Sequence, residues 1–171
     1  MLNTVEPSSN GFKRLLTLRL NTTIGPVIFV TVYAPTLYAT PDTKDEFYEK
    51  LAITISHIRR KEQLVLLSAR FGVGKVNDNG QRLLELCTYH NFCMANYFFG
   101  TKPQHKVSWR HPRSKHWHRL DLILVRRATN KHVHHPRSYH SADCDTDHSF
   151  VCYKIKHQPK RYHRDKKQGH P

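Results

Sequence analysis

Apolar and polar positions alternate, then cluster, then alternate again along the chain, and the changes of period mark its elements. FKRLLTLRL (12–20) alternates in part, with Leu16, Leu18 and Leu20 on one face and Lys13 and Arg19 on the other. PVIFVTVYA (26–34) follows after NTTIG, so the two runs predict strands joined as a hairpin. Pro35 and Pro41 bracket a loop. Thr43-Lys-Asp-Glu46 has the residues of a capping box, with Glu46 able to reach back to the Thr43 amide. Phe47, Leu51, Ile55 and Ile58 then recur near helical spacing, which predicts a helix ending about Arg59 or Arg60. The unbroken run Leu64, Val65, Leu66, Leu67 predicts a strand covered on both faces. Asn77-Asp-Asn-Gly80 leads into a short amphipathic helix over QRLLELCTYH (81–90), with Leu83, Leu84 and Cys87 inward. FCMANYFF, KVSWR, HRLDLILV and SFVCYKI are the remaining candidate strands. The order predicts a mixed α/β domain with mostly antiparallel sheets over residues 1–157. Residues 158–171 are rich in Lys and Arg and almost free of aliphatics, which predicts a disordered basic tail.

Charge sharpens this picture. Residues 1–101 carry 11 Lys/Arg against 8 Asp/Glu and residues 102–171 carry 17 against 5, so net charges of +3 and +12 make up the total of +15. Such asymmetry points to a polyanionic partner, nucleic acid or an anionic surface. A solvated tail accounts only for the last stretch. No apolar run is long enough to span a bilayer and no basic-then-apolar signal opens the chain. Cys87, Cys93, Cys144 and Cys152 have no CxxC spacing and read as reduced thiols. Together these features predict an intracellular protein that is not secreted, with a nuclear setting compatible with the charge.

Two short motifs fail on chemistry. Gly72-Val-Gly-Lys75 follows a strand, but a phosphate-binding loop needs four residues between its glycines and Ser/Thr after the lysine, where Val76 stands. Asp143-Cys-Asp145-Thr-Asp147 resembles the start of a calcium loop, but His148 takes the glycine position and Lys154 the final glutamate.

The same segment supplies the best catalytic candidates. Asp147-His148 immediately precedes the strand SFVCYKI, setting an acid and an imidazole at a strand edge. A histidine there can contact a scissile phosphate, and a carboxylate can hold a hard cation. Asp121 is a lone acid inside LDLILV and needs a partner where it is buried. That partner is either His148, which an acid would orient, or one of the many arginines. A third feature is the stretch 102–119, KPQHKVSWRHPRSKHWHR, with six Lys/Arg, four His, two Trp and no acid. Basic groups interleaved with aromatics suit a phosphate backbone and stacked bases; the alternative is a solvated hairpin. Zinc on the HWH and HVHH clusters is disfavoured, because no cysteine is placed to complete a finger.

VTVYAPT, LVLL, SWR, LDLILV and TDHSFV occur in the order seen in the endonuclease/exonuclease/phosphatase superfamily. TKDEFYEKL, NGQRLLELC, the run 98–128 and RSYHSADCDTDHS make the chain most similar to the apurinic-endonuclease-like domain of LINE (non-LTR) retrotransposons. The resemblance implies a four-layer α/β sandwich and a Mg²⁺-dependent endonuclease that nicks DNA to prime reverse transcription. It implies Tyr33 beside the phosphate and Asp121 orienting the catalytic His148. It implies His148 on the scissile phosphate, Asp147 near the metal, and Ser108 and Trp109 beside the DNA groove. Lys106, Arg110, Arg113, Lys115, Trp117 and Arg119 complete the expected DNA-binding set.

The chain departs from that family twice. The family ends its LVLL-type strand in GDFN, whose Asp activates water and whose Asn contacts phosphate; here the strand runs into Ser68-Ala-Arg-Phe71. Asp78-Asn79 sits at the lead-in to the next helix and is no substitute. The early strands that carry an active-site Asn and a metal-binding Glu are also without a counterpart, and Glu6 lies in no matching motif. Losing the base alone costs on the order of 10² to 10⁴ in rate. The expectation is therefore an incomplete endonuclease domain with weak or no activity. The alternatives are a non-catalytic basic nucleic-acid-binding protein and a translated remnant without function.

Overall fold

The computed structural model describes residues 2–8, 14–22, 25–69, 77–98, 100, 102–140 and 147–156. The Gly72–Lys75 motif, Asp143 and Asp145 of the acidic ladder, Cys144 and the basic tail from 158 lie outside the described residues.

The predicted hairpin forms as strands β2 (Leu15–Thr22) and β3 (Gly25–Tyr33), paired antiparallel in unbroken register from Leu15–Val32 to Thr22–Gly25. Gly25 sits at φ +126°, a conformation that admits glycine at this turn and strains any L side chain. A strand the hydrophobic pattern did not announce, β1 (Leu2–Ser8), pairs antiparallel with β2.

Helix α1 (Pro41–His57) starts earlier than the capping-box reading had it. Thr40 is the N-cap, its hydroxyl accepting the Thr43 amide at 3.3 Å, and Pro41 occupies the first turn, where no amide partner is lost. Glu46 turns away to pair with Lys50 one turn on. The helix ends at His57 with Ile58 extended, short of the predicted Arg59. It carries the chain over to β4 (Gln63–Ala69), which lies parallel to β3. Helix α2 (Asp78–Tyr89) is capped by Asn77, whose carboxamide oxygen accepts the Gly80 amide. Its inward face is Leu83, Leu86 and Cys87; Leu84, expected inward, is 43% exposed because Leu86 lies closer to the buried row.

The remaining strands are shorter than predicted. β5 (Phe92–Met94) stops where Ala95–Tyr97 winds into a 3₁₀ turn, and β6 (Trp109–Arg110) pairs with β7 (Trp117–His118) in a two-residue ribbon. β8 (Leu122–Arg126) lies between β4 and β5. β9 (Val133–Tyr139), hidden in the sequence by its histidines and Pro136, pairs with β10 (Phe150–Ile155) in a second sheet. The main sheet runs β1-β2-β3-β4-β8-β5 and every pairing except β3–β4 is antiparallel.

Two cores lie on its two faces. Val30, Val32, Leu64, Leu66, Leu122 and Leu124 pack against Leu51, Ile55 and Leu83 of the helices. Val65, Ile123 and Val125 face the other way, onto Val133, Val151 and Ile155 of the second sheet. Helices, central sheet and second sheet are thus three layers among the described residues. β4, buried on both faces, accounts for its unbroken apolar run. Cys87, Cys93 and Cys152 are free thiols; burial pushes Cys87 up to about 12.

Candidate active site

Register brings the candidate residues to one end of the central sheet. Tyr33 closes β3 opposite Ala69, which closes β4, and Ser68 pairs with Leu122 at the start of β8. Asp121, the residue before β8, therefore falls at the same end as Tyr33. β5 runs antiparallel to β8 and delivers Asn96 there as well. The Asn96 side-chain oxygen accepts the Ile123 amide at 2.6 Å and its nitrogen reaches the Asp121 carbonyl at 3.5 Å.

Asp121 is held more closely by Ser108. The Ser108 hydroxyl, only 2% exposed, accepts the amides of Leu120 at 3.3 Å and Asp121 at 3.1 Å. The same residue's carbonyl accepts the Ser149 amide at 2.7 Å, and Trp109 beside it forms a β-bridge with His148. One short segment thus fixes both Asp121 and the strand edge carrying His148. The result is a contact of 3.2 Å between His148 Nδ1 and Asp121 Oδ2, with both side chains partly open to solvent. Among the described residues Asp121 meets no arginine at ion-pair distance. Trp109 donates its indole N–H to the Asp147 carboxylate, and the Arg110 amide donates to the Asp147 carbonyl at 3.0 Å. Tyr33 is 40% exposed, with the Arg14 guanidinium 5.8 Å above its ring.

An imidazole backed by a carboxylate on one nitrogen can present the other to a phosphate oxygen. The donors for a magnesium ion do not fit as well. Magnesium is held through one or two carboxylates plus substrate phosphates. Asp147 offers one carboxylate already engaged by Trp109, and Asp121 is turned to His148. Among the described residues no three His, Cys, Asp or Glu side chains converge. These donors do not by themselves compose a magnesium site.

The basic stretch divides into scaffold and surface. Ser108 is inside, its hydroxyl spent on backbone amides. Arg119 is half-buried, donating to the Lys106 carbonyl at 2.7 Å and lying 4.8 Å above the Tyr97 ring. Arg110, Arg113, Lys115 and Trp117 are exposed on the β6–β7 ribbon. His111 closes the ribbon turn by accepting the Arg113 and Ser114 amides. Trp117 packs 4.3 Å from His140 and beneath Arg110, so its ring is held in place while 41% exposed. Asn96, Tyr97 and His140 escaped the sequence reading. A polar Asn within the apolar run FCMANYFF was the available signal for the first.

The mixed α/β fold, with its mostly antiparallel sheets, matches that of solved endonuclease/exonuclease/phosphatase-type proteins. It superimposes on the endonuclease domain of TRAS1, a telomere-specific non-LTR retrotransposon, with a TM-score of 0.68, covering 90% of this chain and 70% of that one at 11% identity. The 3'-5' exonuclease NExo from Neisseria meningitidis gives 0.66, with 91% and 72% coverage at 16% identity. The AP endonuclease LMAP from Leishmania major gives 0.66, with 90% and 57% coverage at 13% identity. In sequence the chain is similar to craniofacial development protein 2: it is 24% identical over 158 residues to the Bos taurus protein, covering 84% of this chain and 27% of that one. The Tragulus javanicus protein matches at the same identity, with 28% of its length covered. The chain thus spans about a quarter of the length of the curated relatives it matches. No protein-family model matches it.

Proposed function

We propose that this protein descends from a non-LTR retrotransposon endonuclease, binds DNA along the 102–119 arm, and retains only part of a phosphodiester-cleaving centre. The observation that carries the reading is the contrast at one sheet end. His148 and Asp121 are paired there at 3.2 Å, while neighbouring β4 closes in Ser68 and Ala69 and continues as RFGVGKV, without a carboxylate or an amide. His148 can donate to a phosphate oxygen, Asp121 holds the ring's orientation, and Tyr33 lies at the same edge. Among the described residues, none at the β4 end can take a proton from an attacking water. The resemblance implies a magnesium ion, which would neutralise phosphate charge when bound; with Asp147 its one candidate donor, no step is assigned to it. A neighbour of the same fold, the Neisseria NExo protein, has been solved with a product DNA hairpin, which supports a nucleic-acid ligand.

The test is nicking of supercoiled plasmid in magnesium by the purified chain beside His148→Ala. The expected result is no nicking above the level of the variant. Nicking that disappears in the variant means the surviving centre is catalytic and the inactivity half of the proposal is wrong. A second reading, a purely non-catalytic DNA-binding protein, is favoured by the exposed Trp117 and the guanidinium stacked over it. It predicts the same nicking result together with salt-sensitive, sequence-indifferent binding.

A further inference from the structure

The opposite end of the central sheet carries an unassigned cleft. Asp121 precedes β8 and Arg126 ends it, so the two sites stand roughly 17 Å apart at about 3.4 Å per strand residue. There the last turns of α1 and α2 and the end of β8 enclose about 610 Å³, bordered by Ile55, Ile58, Arg60, Tyr89, His90 and Arg126. That volume suits a small-molecule ligand.

Its charges are unbalanced. Arg126 Nη2 donates to the Ile58 carbonyl at 3.0 Å, but its Nε is buried without a hydrogen-bond partner, as is His90 Nε2. Neither Arg60 nor Arg126 forms an ion pair among the described residues. Glu62 is the acid whose charge reaches Arg126, and it is committed to Arg19 at 3.1 Å and to the Arg59 amide at 3.2 Å. Burial first, and then the Arg60 charge, pushes the Arg126 guanidinium down; burial and Arg126 do the same to His90. The two helix C-termini contribute about half a negative charge each, less than two guanidiniums bring. Two guanidiniums border one cleft while the nearest acid is already paired with Arg19, an arrangement that offers charge-assisted donors to an anion.

We propose that this cleft binds a phosphate monoester of nucleotide size, its phosphate between Arg60 and Arg126 and its ring against Tyr89. Two guanidiniums match the two negative charges of a monoester better than the single charge of a backbone diester. Ile55 and Ile58 line the apolar wall, and Tyr89, 84% exposed, also lines the cleft, its ring perpendicular to that of His90 with centroids 4.9 Å apart. The proposal is independent of the nuclease reading.

The experiment is calorimetric titration of the full chain with AMP, adenosine and inorganic phosphate, repeated on Arg60→Gln and Arg126→Gln, with the His90 ring followed by NMR. AMP binds, inorganic phosphate binds more weakly and adenosine does not. Arg60→Gln weakens AMP roughly tenfold or more, and the His90 resonances shift on adding AMP. Arg60 is exposed, so its variant keeps the test valid if Arg126→Gln, which breaks the Ile58 contact, fails to fold. The proposal is overturned by absent AMP binding, by equal binding in Arg60→Gln, or by unmoved His90 resonances. It is equally overturned by adenosine or inorganic phosphate binding as tightly as AMP.

Discussion

Ser108 lies within the 102–119 arm, almost wholly buried, and its one hydroxyl orders the candidate centre. It receives the Leu120 and Asp121 amides and so fixes the carboxylate that faces His148. Ser108→Ala removes the acceptor of both part-buried amides, a loss of about 1 kcal/mol or more. Urea unfolding should show a lower midpoint at unchanged slope. Ser108→Thr keeps the acceptor and should lose less, unless the added methyl is not accommodated. Its buried position makes Ser108 a positioning residue, whereas its neighbours Arg110, Arg113, Lys115 and Trp117 are exposed.

Among the elements, the two helix starts differ in what they hold. Thr40 caps α1 at an exposed site, and Thr40→Ala should cost about 1 kcal/mol. Asn79, in the first turn of α2, is 1% exposed and donates to the Pro35 carbonyl at 2.7 Å, while its own backbone carbonyl accepts the Tyr48 hydroxyl at 2.8 Å. It ties α2 to the loop leaving β3 and to α1. Asn79→Ala strands a buried carbonyl and opens a gap, so it should lower the thermal midpoint more than Thr40→Ala. Equal losses would mean that the α2 start is not anchored through this side chain. Neither role is legible from spacing: Asn79 has the pattern of a helix lead-in, and the TKDE pattern of a capping box points to Thr43 and not to Thr40. Proline at the first helical position outweighed that pattern, since its ring is preset for a helix start.

The molecule as a whole is electrically lopsided, with most of its net charge of +15 in residues 102–171. Binding to DNA should therefore weaken steeply with salt, through release of counterions from the phosphates. Replacing Arg110, Arg113 and Lys115 together by alanine should reduce the slope of log affinity against log salt by about one for each of these side chains that meets a phosphate. An unchanged slope would move the DNA surface away from the β6–β7 ribbon. These three side chains are exposed, so the fold should survive the change.

The mixed α/β order, the β2–β3 hairpin, the doubly buried β4 and the basic second half all follow from local periodicity or net charge and are legible along the chain. The sequence also singles out Asp121 and His148, an acid in an apolar run and an imidazole at a strand edge, with the acid's partner left open by the residues alone and given as His148 only by the family resemblance. Tertiary structure made that choice, since residues 27 apart in sequence meet only through the pairing of Trp109 with His148 and the Ser108 hydroxyl. It likewise decided β1 and β9, whose polar residues and prolines mask any strand pattern until a neighbouring strand takes up their backbone groups. The Arg60–Arg126 cleft belongs to the same category. Its charges come from a helix end and a strand end far apart in sequence, and only packing could set them side by side.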